Sequence, residues 1–598
     1  MSQLHLYDWV VISVYVIFTI ALGLAFRKRA SSSTEEYFLS GRSLPWWVLG
    51  TSMVATTFAA DTPLAVTGFI RDHGIWYNWF GWHYVMSQML AVFLFSRFWR
   101  RAEVMTDNEL IEQRYSGKPA AFLRGFKAGY FALLYNFIVL GWVLKGMGTV
   151  AEAVLGIDPH IAVIAGATLA LAYALMAGFW GVVVTDVIQF VLAMTGSITV
   201  AVLAVRHTGG VMELKERLTT SPLFTENTLA IIPKGDMGME SDFFKFLIFV
   251  SLMWWASHNA DGGGYLIQRM AAAKNERHAR GATLWFVVAN NAVRYWPWIM
   301  TALVSMVMWP SMPEGVSEEA AYPLVMLEVL GPGLLGLLLV SFFAAFMSTI
   351  DTHLNWGASY LVNDLYKRFI KPEASEKQLV LVAKLCVLAM MICAVTVAFF
   401  LSSIGKAWLF VWAMGAGIGP VLILRWFWWR INAWSEIAAL ATSIVMAVGF
   451  EVAAAVQSGA EYKLFATPLR LGETALQTHH KALILVPVSI IIWVIVTFLT
   501  RPVDPRRLTA FYAKVRPGGF WGPVSRANPQ IECDGFRWSR LLVWLLGSLG
   551  VYGLIFGLGK IVLGDAGESI PLFGLAVVGT LAVIWELRQP DQDLTGDS

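Results

Sequence analysis

Charged residues are scarce in this sequence of 598 residues. Asp, Glu, Lys and Arg together make up 14% of the chain, and 57% of its residues are hydrophobic. Soluble domains average about 25% charged residues. Because the deficit extends over so long a chain, it excludes an ordinary soluble protein and predicts that lipid is the solvent. The net charge of +3 gives no reason to expect a nucleic-acid partner, and we predict none.

Cysteine is also scarce, and the N-terminus lacks a signal peptide. Cys386 and Cys393 lie on one apolar helix, and Cys533 lies in a basic loop, so the sequence predicts neither a disulfide framework nor a cysteine metal site. The first apolar run, residues 7–26, is long enough to cross a bilayer and has no small-residue cleavage site after it. We therefore interpret this run as a membrane span.

Long apolar runs, by contrast, are frequent. A helix needs about 20 apolar residues to cross the hydrocarbon core, and runs of that length predict an all-α polytopic membrane protein with about fifteen spans. The predicted spans are residues 7–26, 44–69, 79–98, 128–155, 160–177, 181–205, 242–265, 283–309, 329–359, 380–402, 407–429, 434–456, 481–500, 540–563 and 569–586.

Basic residues predict the orientation of these spans, because Lys and Arg are enriched in cytoplasmic loops. The basic clusters lie in or beside alternate predicted loops, whereas loops 311–323 and 564–568 contain no Lys or Arg. We therefore place the N-terminus outside and the C-terminus in the cytoplasm, and we expect an integral protein of a bacterial inner membrane. The basic clusters used are Arg27, Lys28 and Arg29; Arg97, Arg100 and Arg101; Arg269, Lys274, Arg277 and Arg280; Lys367, Arg368 and Lys371; Arg425 and Arg430; and Arg501, Arg506, Arg507, Lys514 and Arg516.

Ionisable residues inside the predicted spans are few and mark functional candidates, since charge at membrane depth is costly. There are four acids and two bases, so two bound monovalent cations would balance the formal charges. A protonated Asp would also close the gap, and the balance suggests a substrate without net charge. The six residues are Asp61, Lys145, Asp186, Asp261, Arg294 and Asp351.

The stretch AAFMSTIDTH, residues 344–353, brings hydroxyl and carboxylate groups into the ninth span. On a helix, Ser348 and Thr349 follow Ala345 by three and four residues and share a face with its carbonyl group. Oxygen ligands of this kind suit a small alkali cation. The alternative is that the hydroxyls bond to carbonyls of their own helix, as is common in membrane helices. Asp351 and Thr352, next along the chain, favour cation binding.

Two spans carry signs of a break. Pro63 follows Asp61 and Thr62 in the second span, and three consecutive glycines, Gly262–Gly264, follow Asp261 in the seventh. The alternatives are a simple proline kink and a helix end. Since the two spans are five apart, spans 2–6 and 7–11 predict two five-helix halves of opposite topology, and paired breaks at corresponding positions indicate a transporter binding site.

These predictions divide the chain into five regions. They are an N-terminal helix and loop (1–43), a first five-helix repeat (44–205), an outer loop (206–241), a second five-helix repeat (242–430) and C-terminal accessory helices and loops (431–598).

Several stretches resemble the sodium/solute symporter family, which includes the sodium/glucose, sodium/proline and sodium/sialic acid cotransporters. The resemblance covers spans 2 to 11, and the combination of stretches is more specific than any one of them. It implies an inverted-repeat transporter core of ten helices (LeuT-like). The stretches are AAFMST at 344–349, GFWGVVVTDVIQ at 178–189, YLIQRMAAAKN at 265–275, NELIEQRYSGK at 108–118 and GAGIGPVLIL at 415–424.

The resemblance also implies two sodium sites. The main site would use carbonyl groups from the break in the first core helix and a carbonyl with two hydroxyls from the eighth; a second site, found in some members, would use an acid and further hydroxyls. The main-site residues are Ala55, Phe58, Ala345, Ser348 and Thr349. The second-site residues are Asp186, Asp351 and Thr352, together with Ser348, and Asp351 replaces a hydroxyl found in some relatives.

Substrate contacts are less transferable, because Gly263 and Gly264 stand where the sugar carriers place Asn or Gln. Aromatic faces and hydrogen-bonding groups near the breaks suit a sugar or polyol, and would also serve a nucleoside or amino acid. The candidate substrate residues are Asp61, Lys145, Trp255, His258, Asn259, Asp261, Tyr265 and Arg294.

The sequence therefore predicts a sodium-coupled symporter that imports a small neutral organic solute by alternating access and functions as a monomer. Proton coupling, and a carboxylate or amino acid as substrate, stay open within the same fold. An ion channel would need a continuous polar lining, which the scattered acids do not form. An intramembrane enzyme is disfavoured, because no HExxH motif and no fused cytoplasmic domain is present.

Overall fold

The computed structural model describes residues 4–30, 34–533 and 538–589, and this part of the chain is mainly helical. The side chains of Arg27, Lys28 and Arg29, which the orientation prediction uses, lie outside the described part. The first twelve helices are α1 (Leu6–Ala30), α2 (Thr34–Leu39), α3 (Trp46–Thr56), α4 (Asp61–His73), α5 (Trp79–Trp82), α6 (Tyr84–Leu90), α7 (Ser96–Ala102), α8 (Glu109–Arg114), α9 (Gly117–Gly129), α10 (Asn136–Leu155), α11 (Pro159–His207) and α12 (Val211–Thr219).

The middle of the chain contains ten helices. They are α13 (Asp242–Ile248), α14 (Trp254–Ala256), α15 (Gly264–Ala271), α16 (Glu276–Val288), α17 (Tyr295–Met308), α18 (Ala321–Val329), α19 (Leu334–Ser359), α20 (Glu376–Phe400), α21 (Ile404–Gly415) and α22 (Gly419–Phe427).

Within its described residues, the C-terminal region adds six helices and one two-stranded antiparallel hairpin. They are α23 (Ala433–Ser458), β1 (Arg470–Leu471), β2 (Thr474–Ala475), α24 (Thr478–Leu499), α25 (Pro505–Val515), α26 (Gly522–Ala527), α27 (Trp538–Val562) and α28 (Ala566–Arg588).

Short 3₁₀ and π segments extend or join these helices. The 3₁₀ turns are Ser40–Arg42, Ile75–Asn78, Glu318–Ala320 and Gly459–Glu461, and the π segments are Ala91–Phe95, Tyr130–Tyr135, Phe249–Met253, Ala289–Val293 and Tyr360–Ile370.

Nine helical segments of the described chain are long and apolar enough to cross a membrane. The number is eleven if each of two bent pairs, α3 with α4 and α21 with α22, counts as one span. These eleven coincide with predicted spans; α11, with 49 residues, covers two of them. The other four predicted spans are 7–26, 79–98, 242–265 and 283–309. The last three are interrupted by π segments or by non-helical residues, and the total of fifteen stays a prediction.

Both predicted breaks are present. The helices α3 and α4 meet at a bend of 56°, with residues 57–60 between them. Pro63 lies in the first turn of α4, where its missing N–H costs nothing because the first helical N–H groups have no helical partner. In the second break, residues 257–263 separate α14 from α15, and Gly262 and Gly263 have φ of 128° and 73°. Residues other than glycine rarely adopt such backbone angles.

The hydroxyl-bearing helix α19 forms the centre of the molecule. In its most apolar stretch 83% of the residues are buried, against 17% for the C-terminal α28. It packs against α11, α10, α20 and α3. A third break, between α21 and α22, has a bend of 43°, and the N–H of Gly417 donates to the carbonyl of Ala256 at 2.8 Å. The second and third breaks are therefore in contact.

Candidate cation and substrate site

The helix α19 reaches the break between α3 and α4 through Thr349. The Thr349 hydroxyl shares its proton between the Thr56 carbonyl, at 2.9 Å, and the carbonyl of Ala345 in its own helix, at 3.3 Å. Back-bonding within the helix is thus only part of its role. Ala55 and Phe58, the predicted carbonyl ligands, flank this contact and are 2% and 4% exposed. The structure therefore places α19 against the break, as the sodium-site prediction requires.

Ser348 points to a second buried cluster, centred on Asp186 of α11. The carboxylate of Asp186 accepts hydrogen bonds from the hydroxyls of Ser348 and Ser52. The guanidinium of Arg269 lies 3.5 Å from the same carboxylate and donates to Thr352 at 2.7 Å. Two predicted second-site residues, Asp186 and Thr352, are thus joined through an arginine.

Asp351, the third member of the predicted second site, has a different environment. It is 1% exposed, and neither of its carboxylate oxygens has a hydrogen-bond partner among the described residues. Burying an ionised carboxylate without a partner is costly. A cation or a proton at Asp351 would remove that cost.

The charge balance drawn from the sequence is wrong. Arg269 and Arg425, assigned there to cytoplasmic clusters, are buried in α15 and α22. Arg425 pairs with Asp261 and, at 3.3 Å, with Glu436. Adding both arginines and Glu436, which is also buried, gives five acids and four bases, so the formal charges no longer call for two cations. Sequence reasoning places the two arginines in loops because the local sequence around a basic residue near a glycine-rich break is like that around a basic residue in a loop.

A cavity of about 230 Å³ lies between the first two breaks. Four predicted substrate residues line it: Asp61, Asn259, Tyr265 and Arg294. The guanidinium of Arg294 donates to the carbonyl and hydroxyl of Thr57, in the break itself. One carboxylate oxygen of Asp61 has no partner within the described chain. The cavity thus presents one acid, one base and several neutral hydrogen-bonding groups.

The other predicted substrate residues lie elsewhere. His258 and Asp261 line a smaller neighbouring cavity of about 30 Å³, and Asp261 is already paired with Arg425. Neither Lys145 nor Trp255 is among the described residues that line these two cavities. The Trp255 indole instead donates to the Ser251 carbonyl of the preceding turn at 2.7 Å.

Sequence reasoning missed several residues of the larger cavity. Gln88 and Asn290 line it, as do Tyr84, Trp142 and Trp408. The two amides stand in otherwise apolar spans, which is a signal that could have identified them. The aromatic residues could not be distinguished from the many others in the chain.

Comparison with known proteins shows the family to which this chain belongs. The sodium:solute symporter family matches residues 37–445. A sodium/glucose cotransporter of Vibrio parahaemolyticus is 26% identical over 74% of this chain and 84% of its own length. The human sodium/myo-inositol cotransporter 2 is 24% identical over 74% of this chain and 70% of its own length.

Among solved structures, that of a Na⁺-coupled sialic acid symporter is similar with a TM-score of 0.64. It is 21% identical and covers 84% of this chain and 99% of its own. The likeness confirms the predicted fold class, an all-α inverted-repeat transporter core. The family match covers most of the chain, so the sequence-based assignment is confirmed: this protein belongs to the sodium:solute symporter family, whose members are membrane transporters coupled to sodium and not enzymes.

Proposed function

We propose that this symporter imports a small neutral organic solute, a sugar or polyol, together with sodium. The main support for this proposal is the cavity of about 230 Å³ between the first two breaks, which is lined by amide, hydroxyl and aromatic groups. Pockets of this kind fix a hydroxyl-rich solute by a few hydrogen bonds and by ring stacking. The named substrates of the similar proteins, glucose and myo-inositol, support the same class.

The main sodium site that we propose consists of carbonyl oxygens of Ala55, Phe58 and Ala345 and the hydroxyls of Ser348 and Thr349. Its support is the contact between Thr349 and the Thr56 carbonyl at 2.9 Å, which brings α19 next to the end of α3. Asp186, Asp351 and Thr352 form the proposed second site. Its support is the unpartnered, buried carboxylate of Asp351.

Coupling follows from where the ion would sit. An ion between α19 and the break favours the conformation in which the two are in contact, and a ligand shifts such an equilibrium only through its different affinities for the two states. The site must therefore come apart when the cavity opens to the cytoplasm. The membrane potential assists release inward by about 2.3 kcal/mol per charge for each 100 mV.

A zwitterionic amino acid is the second candidate substrate, because a specific observation favours it. Asp61 and Arg294 line the same cavity, and each has a buried polar atom without a partner in the described chain. An ammonium group at Asp61 and a carboxylate at Arg294 would satisfy both. A sugar would instead use these two residues as hydrogen-bond acceptor and donor.

A thermal-shift screen of the purified protein discriminates the two candidates. Sugars, polyols, amino acids and nucleosides are each tested in sodium chloride and in choline chloride of equal ionic strength. Since a ligand that binds the folded state at free concentration c stabilises it by RT ln(1 + c/Kd), and sodium should lower the Kd of the solute, we expect a sugar or polyol to raise the melting temperature more in sodium. Stabilisation by amino acids alone would select the second candidate, and equal shifts in both salts would contradict sodium coupling.

Transport in vesicles completes the test. Uptake of the solute that emerges from the screen should require an inward sodium gradient. Uptake driven by a pH gradient at zero sodium would identify proton coupling, and non-saturable flux would identify a channel. We further propose that the protein acts as a monomer in a bacterial inner membrane, with its N-terminus outside and with the five regions defined from the sequence.

A further inference from the structure

We propose a binding site for a divalent transition metal, of the zinc class, formed by Glu240, His479 and His480. Glu240 precedes α13, and the two histidines lie in the first turn of α24. One ligand atom from each residue can be chosen so that all three lie within 4.8 Å of one another. The Nε2 of His480 is 3.3 Å from a carboxylate oxygen of Glu240.

The burial of His479, together with an unsatisfied ring nitrogen, indicates that this side chain binds a ligand. Its side chain is 2% exposed, and its Nε2 has no hydrogen-bond partner anywhere in the described chain. Buried polar atoms are nearly always satisfied, so each exception calls for a cause. A metal ion between His479 and Glu240 would supply the missing partner.

The ligand set selects the class of metal. Two imidazoles and one carboxylate are typical ligands of Zn²⁺, at bond lengths of about 2.0–2.2 Å with a fourth position left for water. Sodium prefers an all-oxygen site, so this cluster is distinct from the sodium sites. Glu240 is largely exposed, with 58% of its side chain accessible, which leaves room for a water on the fourth position.

His480 must change one hydrogen bond to take part. Its Nδ1 accepts from the backbone N–H of Gln477 at 3.2 Å. Binding a metal through Nε2 moves the imidazole proton to Nδ1, because a neutral imidazole carries one proton. The contact with Gln477 is therefore exchanged for the metal.

The neighbouring charges permit a dication. Lys245 lies close by on α13 but is 3.7 Å from the carboxylate of Asp242, and Lys481 is 3.4 Å from Glu451. Both ammonium groups thus have an anionic partner. A bound metal would connect the segment before α13 to α24, and so fasten the start of the proposed second repeat to an accessory helix.

The test is zinc binding to the full-length protein after removal of any polyhistidine tag. Isothermal titration with zinc chloride should show one site per chain, and cobalt(II) should give the visible absorption of a tetrahedral complex. We expect His479→Ala and Glu240→Gln each to weaken zinc binding at least tenfold and to abolish the cobalt spectrum. His160→Ala is the matched control, because His160 also lies near a carboxylate, 3.2 Å from Asp158, but in a two-residue cluster.

Each outcome decides the proposal. Loss of binding in His479→Ala and Glu240→Gln, with normal binding in His160→Ala, supports it. Unchanged affinity in His479→Ala, or no binding by the unmodified protein, overturns it. His479→Gln and a melting curve without metal check that the variants fold. The proposal does not depend on sodium or on the solute, so it can fail while the proposed function holds.

Discussion

Thr349 is the residue that connects the two halves of the proposed sodium site. Its hydroxyl reaches the Thr56 carbonyl across the break while it still bonds to its own helix. The neighbouring hydroxyl, on Ser348, faces Asp186 instead. Two adjacent residues of one helix therefore address two different polar groups. A sodium ion near Thr349 would gain ligands from both helices at once.

Removal of these hydroxyls should abolish sodium binding at the main site. We expect Ser348→Ala and Thr349→Ala each to raise the half-saturating sodium concentration of the main site at least tenfold, equivalent to about 1.4 kcal/mol, and the double variant to lose the sodium response of that site. The measurement is the sodium-dependent rise in melting temperature, which needs no knowledge of the solute.

The control for this prediction is Ser359→Ala. Ser359 is buried on the same helix, and its hydroxyl donates to the carbonyl of Trp356, within that helix, at 2.6 Å. Its removal should leave the sodium response unchanged. An unaltered sodium response in the Ser348→Ala and Thr349→Ala double variant would refute the assignment of the main site.

Arg269 changes the electrostatics of the proposed second site. Its guanidinium lies 3.5 Å from Asp186, so a cation at Asp186 would have to displace it or bear its repulsion. Asp351 has no such competitor, since its oxygens have no partner in the described chain. Of the two acids, Asp351 is therefore the better anchor for a second cation.

At the scale of elements, the three breaks depend on glycine and proline at particular positions. Gly419, at the start of α22, is packed against the end of α14. A Cβ atom at Gly419 would overlap the backbone carbonyl of Trp255 and would lie 2.7 Å from that of Ser257. Since backbone atoms cannot move aside as a side chain can, the close approach of these two breaks requires glycine.

Substitution of this glycine should destabilise the fold. We expect Gly419→Ala to lower the free energy of unfolding by about 1–3 kcal/mol, as overpacking commonly does, and to show this in thermal unfolding of the purified protein. Gly449→Ala is the control, because Gly449 lies within α23 and a Cβ there has no neighbour within 4 Å. Alanine at a helix interior should be neutral or stabilising by about 0.5–1 kcal/mol. Equal melting temperatures for the two variants would contradict the packing argument.

These elements also show what a sequence can and cannot predict. The first two breaks could be located, because Pro63 and the three glycines at 262–264 restrict the backbone locally. The hydroxyl pair of α19 could be found from its spacing and its resemblance to the family. The burial of Arg269 and Arg425 could not, because it depends on Asp186 and Asp261, which are distant in sequence. The local pattern around a buried arginine is the same as around an exposed one.

At the scale of the whole molecule, the orientation in the membrane is a prediction that labelling can test. The positions of the basic clusters, together with the predicted spans, place residues 314 and 473 outside and residues 371 and 506 in the cytoplasm. All four side chains are exposed, so each position can carry a reporter. We expect one membrane crossing between residues 314 and 371, three between residues 371 and 473, and one between residues 473 and 506.

Cysteine labelling of intact cells tests this topology. The three native cysteines are replaced, and Glu314→Cys, Lys371→Cys, Glu473→Cys and Arg506→Cys are introduced one at a time. We expect an impermeant maleimide to label positions 314 and 473 in intact cells, and positions 371 and 506 only after permeabilisation. The opposite labelling pattern would mean that the N-terminus is cytoplasmic, and the cavity would then open to the opposite side of the membrane from the one predicted. Labelling of 371 together with 473 would instead mean that the number of spans between them is even, and the five-plus-five arrangement with its accessory helices would have to be redrawn from α20 onward.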